Sequence, residues 1–407
     1  MIREPEGRRA IALLALAGFF SSAAFRVCDP LLPLLASTFS TSTGAAAYTI
    51  TVFAVAYGGL QVFWGPLGDR YGKYRTAAFA TFACAIGNVG AVFAPTLTVL
   101  IVCRGIAGAT GGGIIPLALA WMGDTIPYGR RQEVLARFMT WSILGVASGG
   151  FLGGLFADTL GWRWAFGALA ACYVIVGVLL QFELRRLARA AAAGPVAGGS
   201  SMQSAQAPRP PFAQQVAAIL RERWPRVVLV TVALEGAIVF GALTFVASDL
   251  HERFGLSLTG AGGVVAAYGL GGVGYTLFAR RLVARLGERG LAQLGGLVCL
   301  IAFGALALAQ DWRVSLAACF AIGLGFYMLH NTLQTNATQM APHARGTAVA
   351  MFASCLFIGQ SIGVAVAALV IDSAGPRWLF AAASVFMMIL ASAFARALRS
   401  RPPQHFS

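Results

Sequence analysis

Seven polar or ionisable residues stand inside long apolar runs: Arg26, Asp29, Arg104, Glu235, His330, Asn331 and Gln334. An ionisable group in hydrocarbon is costly, so it is usually there for a task such as carrying a proton, an ion or a solute. Arg26 and Asp29 are three residues apart and share a helix face. Arg104 is expected at a similar depth. Asp29 is expected to pair with Arg26 or with Arg104, and its protonation would free the arginine. Desolvation and a neighbouring arginine act in opposite senses on such a carboxyl. The plainer alternative is a static ion pair that joins helices, although such pairs are weak stabilisers. Glu235 and His330 form a second set near mid-depth. Asn331 and Gln334, also three apart, extend a polar stripe from His330. These residues could face a cavity and bind substrate or a proton. For the histidine, hydrogen-bonded packing is an equal alternative.

The elements that must hold these residues are membrane helices. The chain of 407 residues is 58% apolar and only 11% charged, against about 25% charged in soluble domains. A span needs about 20 apolar residues. That rule places spans at 11–36, 45–66, 74–94, 97–120, 135–157 and 162–184, then 226–248, 258–280, 289–309, 314–338, 346–370 and 377–397. The expected fold is an all-α membrane protein, with twelve transmembrane helices in two pseudo-symmetric six-helix bundles. The run from Ile11 to Phe25 resumes beyond Arg26, so it is read as an uncleaved first span and not as a signal peptide. The net charge of +15 does not indicate nucleic acid, because the basic residues form no single face. The seven cysteines lie in apolar segments without a CxxC pair, which supports neither a disulfide framework nor a metal site.

Basic residues set the orientation. Arg163, Arg253, Arg313 and Arg377 fall on one side of the spans, and Arg26 and Arg104 fall within them. The rest cluster on the other side, which predicts both termini in the cytoplasm. Residues 187–223 are rich in Ala, Gly, Ser and Pro and read as a cytoplasmic linker. The expected units are therefore 1–186, the linker, and 224–407. The halves repeat one another. Gly145, Gly149, Asp158, Arg163, Trp164 and Phe166 match Gly359, Gly363, Asp372, Arg377, Trp378 and Phe380 at one offset, and the stretch from Asp69 to Lys73 is similar to that from Ala284 to Glu288. Internal repeats are how many transporters build a site between two rocking halves.

Between spans 2 and 3 runs Gly65-Pro-Leu-Gly68-Asp69-Arg70-Tyr-Gly72-Lys73-Tyr-Arg75. It resembles the loop signature of the major facilitator superfamily. The resemblance implies that Asp69 and Arg70 make charge contacts that latch the cytoplasmic side while the protein faces outward. The second copy has Ala284 in place of the Asp. Three further stretches resemble the drug:proton antiporter branch. Leu100 to Gly108 is similar to its buried-arginine motif around Arg104, with Ala107 in place of the usual Gln. Pro30 and Pro33 resemble its paired prolines. Gly145, Gly149, Gly150, Gly153 and Gly154 in span 5 resemble its glycine motif, with Gly150 in place of a proline. Gly145, Gly149 and Gly153 lie four apart on one face, where close packing alone would account for them; a role in preventing leak is implied only by the resemblance.

Asp158 and Asp372 read as caps or loop anchors. Asp124 and Glu133 are expected to form solvated bridges with Arg130 or Arg131. Gly359-Gln-Ser361-Ile-Gly363 and Gly269-Leu-Gly271-Gly-Val-Gly274 fit nucleophile-elbow and dinucleotide patterns, but those need a strand and these lie in spans. The expected function is secondary active transport, favouring proton-coupled efflux of a small molecule by alternating access. Proton-linked uptake of a metabolite is the alternative, and a non-transporting receptor is less favoured. No cofactor, metal or nucleic acid is implied. The expected partners are the bilayer of a bacterial-type inner membrane, a small-molecule substrate and protons, with the chain acting as a monomer.

Overall fold

Apolar residues lie on nearly every side of these helices, which suits segments solvated by lipid and by one another, because only helices satisfy every backbone group without water. A computed structural model describes residues 4–193 and 212–400, and these are helical with short turns. The spans are Arg8–Thr38, Thr43–Tyr71, Lys73–Val92, Leu97–Thr125, Glu133–Thr159 and Trp162–Arg189. They continue with Arg223–Phe254, Leu258–Leu308, Trp312–Gln339, Arg345–Ala374 and Pro376–Ser400. The 51-residue stretch Leu258–Leu308 is two spans. At Gly287 the backbone leaves the helix with φ 61° and ψ −179°, and an unbroken helix of that length would reach about 77 Å, more than twice a hydrocarbon core. Spans 8 and 9 therefore meet at a single-residue corner, which brings the crossings among the described residues to twelve.

Four expected spans are not continuous helices, and of these spans 2 and 4 are interrupted only briefly, at Ala47 and at Gly112 and Gly113. Span 1 is helical over Glu4–Arg26, breaks at Val27 and Cys28, and resumes through a 3₁₀ turn at Asp29–Leu31 into Leu32–Thr38. Pro30 explains the break: it lacks an N–H, and its ring would clash with the carbonyl four residues earlier. Span 7 runs beyond its expected end, over Arg223–Leu243 and then Val246–Phe254, with a break at Thr244 and Phe245. Of the expected linker, residues up to Ala193 continue the helix of span 6, and Phe212–Arg221 form a short helix. Residues 194–211 lie outside the described residues.

Backbone geometry repeats between the halves. Among the described residues, those with positive φ are Ser40, Gly72, Gly161, Gly255, Gly287 and Gly375. They fall into three pairs, Ser40 with Gly255, Gly72 with Gly287 and Gly161 with Gly375, each at nearly the same offset. Gly72 and Gly287 occupy equivalent turns where a Cβ would be strained.

Packing between the first six and last six spans is concentrated in two equivalent places, span 5 on span 8 and span 2 on span 11. Both are clasped at one end. There Asp158 accepts the backbone N–H groups of Leu258 (3.2 Å) and Thr259 (2.7 Å) and the Thr259 hydroxyl (2.6 Å). Asp372 accepts the Gly44 N–H (3.1 Å) and the Ser42 hydroxyl (2.7 Å). These two aspartates are thus caps, but each caps a helix of the other half. Nearer mid-depth the halves still touch, with Ser361 donating to the Thr51 carbonyl (2.9 Å) and Tyr57 against Phe357 (4.8 Å between ring centres).

Candidate functional site

The break in span 1 builds the first part of the site. Arg26 ends one helix and Asp29 starts the 3₁₀ turn, and Arg26 Nη1 donates to Asp29 Oδ2 at 2.9 Å with both side chains buried. Of the two expected partners, the aspartate takes Arg26. The Arg26 guanidinium also lies 4.8 Å from the ring centre of Phe240 on span 7, so it crosses to the other half.

Arg104 does different work. It is 1% exposed, and its Nη2 donates to the Ala24 carbonyl (2.9 Å) and its Nε to the Thr49 carbonyl (3.4 Å). Its guanidinium sits 4.0 Å over the Phe53 ring. The residue ties spans 1, 2 and 4 through backbone oxygens, at the level of the span 1 break. Carbonyls freed near a broken helix are natural acceptors for a planar, always charged donor.

The second set forms a pair. Glu235 Oε2 lies 2.7 Å from His330 Nδ1, with the carboxylate fully buried. The imidazole stacks on Phe326 at 4.8 Å between centres, and Phe352 stands 5.3 Å away. Asn331 donates to the Tyr275 hydroxyl (3.3 Å), away from this pair, and Gln334 is exposed. Asn331, Gln334, Thr335 and Thr338 form an exposed polar stripe on span 10, which suits an aqueous channel better than lipid.

Aromatic side chains surround both pairs. Phe240, Tyr268, Phe326 and Tyr327 from spans 7, 8 and 10 form one linked group, with ring centres 5.2–6.3 Å apart. Phe25, Phe53, Tyr57 and Phe357 form another. Sequence reasoning passed over these rings because aromatic residues in a span resemble lipid-facing ones. It also passed over Asp249, which is buried beside the span 7 break and bridged to Arg253 at 2.8 Å. That break gave no proline to mark it.

The span 5 glycines serve two neighbours. A Cβ on Gly145, Gly149 or Gly153 would collide with the carbonyls of Phe19, Ala23 and Val27 on span 1. One on Gly154 would collide with Leu258 on span 8, and Gly150 faces Gly262 there. In the second half, Gly359 and Gly363 abut Ala233 and Ala237 of span 7 in the same way. At the far end from the clasps, Gly72 makes the turn between spans 2 and 3. Asp69, whose side chain is 72% exposed, lies 3.6 Å from Lys73, which also meets Asp124 at 2.5 Å. Asp124 therefore pairs with Lys73, a cation its own half supplies across the loop, and Glu133 pairs with Arg137 one helical turn on (2.9 Å). Arg70 lies over the Tyr71 ring at 5.3 Å, and Arg75 is exposed. A Cβ on Gly68 would meet Leu117, whereas Gly65 has open space beside it.

A family model described as the Major Facilitator Superfamily matches residues 14–363. The chain belongs to the Major Facilitator Superfamily. It is a multi-pass membrane transporter and not an enzyme. The Gly65–Arg75 loop lies within the matched residues, and the two clasped helix pairs join the first six spans to the last six. Among its relatives, an uncharacterized superfamily transporter of Bacillus subtilis (strain 168), YwfA, is 28% identical over 370 residues, covering 87% of this chain and 84% of that one. A chloramphenicol resistance protein of Streptomyces lividans is 26% identical over 386 residues, covering 92% and 93%. The superfamily fold is also that of a bacterial homologue of the human lysosomal transporter Spinster, solved inward-facing and unoccupied. Its TM-score is 0.75 at 17% identity, with 99% of this chain and 100% of that chain covered.

Proposed function

We propose that this transporter exports a small molecule in exchange for protons, by alternating access between residues 1–186 and 224–407. The observation that carries this reading is the buried Arg26–Asp29 pair at a helix break between the halves. A carboxyl there can take up or release a proton only when one face of the protein opens to it. Each proton moving inward makes available about 2.3 kcal/mol per 100 mV of membrane potential. On this reading both termini and the Gly72 turn are cytoplasmic, as the arginine distribution predicts. The clasped end then faces outward, and the structure is the inward-facing state. Asp69 and Arg70 are released from a latch that would form in the opposite state. Glu235, His330, Asn331 and Gln334 line the substrate path in the second half, and the protein acts as a monomer in a bacterial inner membrane. The name of the Streptomyces relative supports export of a drug-like compound.

The test is transport into inverted membrane vesicles with an imposed pH gradient, using radiolabelled chloramphenicol as the first probe within a panel of drug-like compounds. Acidifying the lumen is expected to drive uptake of at least one compound, and Asp29→Asn is expected to abolish it. Uptake driven only by the opposite gradient would reverse the direction. Full retention by Asp29→Asn, Arg104→Ala and Glu235→Gln would remove the assigned proton sites.

A further inference from the structure

Arg26 and Asp29 both belong to span 1, so their own bond cannot sense whether the two halves have met. Something from the second half must complete the site. A small cavity lies against the pair, walled by spans 1, 5, 7 and 8, with room for roughly one water molecule. Most of its wall is Gly, Ala, Val and Leu; the polar side chains in it are Arg26, Asp29 and Tyr268. All three are at most 3% exposed, and each has one buried polar atom without a protein partner: Arg26 Nη2, Asp29 Oδ1 and the Tyr268 hydroxyl. Tyr268 is carried by span 8. Its ring is held by Phe240 (6.0 Å) and Phe326 (5.7 Å), and Phe240 also carries the Arg26 guanidinium.

We propose that Tyr268 is the positioning residue through which the second half reads the Arg26–Asp29 pair, its hydroxyl and one water in the shared cavity closing a hydrogen-bonded ring with both. The donors and acceptors balance. The water accepts from the Tyr268 hydroxyl and from Arg26 Nη2, and donates to Asp29 Oδ1, making the three bonds usual for a buried water. The ring exists only while span 8 lies against span 5. A protonated Asp29 offers a donor in place of an acceptor, so the ring must break or turn, and the clasped state loses a tie at mid-depth. The groups facing Asp29 are Arg26 and the buried Cys28 thiol on its own span, Arg104 on span 4, bound to carbonyls, and Tyr268 on span 8. Span 5 presents Val146, Ala147 and Gly150, and Asp249 on the packed end of span 7 is committed to Arg253.

The inference rests on Asp29 as the proton site, and its test needs no gradient. Hydrogen exchange of the amides at 258–261, corrected for intrinsic rate, reports clasping in the purified full-length protein in lipid. In the parent it is expected to differ on the order of threefold or more between mildly acidic and mildly alkaline buffer. Asp29→Asn should remove that step, and Tyr268→Phe, which keeps the ring and deletes only the hydroxyl, should remove most of it at an unchanged melting temperature. A Tyr268→Phe step equal to the parent's, or a parent with no step, overturns the proposal. If Tyr268→Phe lowers the melting temperature, Val146→Leu, which fills the cavity from span 5, takes its place with the same expected loss and the same overturning result. A step that depends on Tyr268, together with no gradient-driven transport in vesicles, would leave this coupling standing while removing proton-driven export.

Discussion

Asp158 accepts the backbone N–H of Thr259 at 2.7 Å and the hydroxyl of the same residue at 2.6 Å, so a carboxylate of the first half caps a helix of the second. Asp372 does the same in reverse at Gly44 and Ser42. A carboxylate satisfies the orphan amides of a first turn and complements the helix dipole. Using such bonds between two bodies makes them breakable without leaving a buried charge, since both ends reach water when the clasp opens.

Replacing both aspartates by alanine should loosen the clasp while leaving each half folded. A cap is worth about 1 kcal/mol, so the double variant should shift the balance towards the opened state by about 30-fold. Hydrogen exchange at 43–46 and 258–261 measures it, and exchange in the Gly145–Gly153 packing face should stay at the parental rate.

Arg104→Lys should fail although it conserves the charge. A single ammonium cannot reach the Ala24 and Thr49 carbonyls together while lying over Phe53, and each lost bond to a charged donor is worth about 1.5–3 kcal/mol. The expected result is a lowered melting temperature in detergent and loss of driven transport. A parental melting curve would show that the carbonyl contacts do not hold spans 1, 2 and 4 together.

The span 5 glycines should separate into two classes. Gly149→Ala and Gly153→Ala press on the span 1 backbone and should reduce folded protein recovered from membranes. Gly154→Ala presses on Leu258 across the halves and should leave recovery intact while raising amide exchange at the clasped end. Recovery and exchange, measured on the same three variants, decide between this division and one uniform packing face.

Glu235 and His330 should be energetically coupled. With one partner deleted, the other is left buried beside Phe326 and Phe352 without its bond. A double-mutant cycle of Glu235→Gln and His330→Asn on substrate affinity should give a coupling of about 1–3 kcal/mol. Gln334→Ala, outside that bond, should add to either change without coupling.

The spans were legible because a bilayer demands one long apolar run after another, and the repeat was legible because the turns at Gly72 and Gly287, and at Gly161 and Gly375, need the same permissive residue. What sequence reasoning lacked was distance across the fold. The three-residue spacing of Arg26 and Asp29 brought them together, yet only the structure chose between Arg26 and Arg104 for the bond. Pro30 carried a readable signal for the break in span 1, whereas Thr244 and Phe245 in span 7 carried none. Asp158 and Asp372 read as caps or loop anchors, but not as caps on the opposite half, because their partners are remote in the chain. Tyr268 was hidden by its type, since a tyrosine in a span is usually packing.

Gly287 joins spans 8 and 9 with a single bent residue, and a corner that short has no slack to absorb displacement. Span 8 presses on span 5 on its inner side, while span 9 packs outside it. A tilt of span 8 therefore either turns about Gly287 or moves span 9 with it, and the exposed apolar face of span 9 at Leu297 and Ile301 gives the surrounding bilayer, through its thickness and lateral pressure, a handle on the transport cycle.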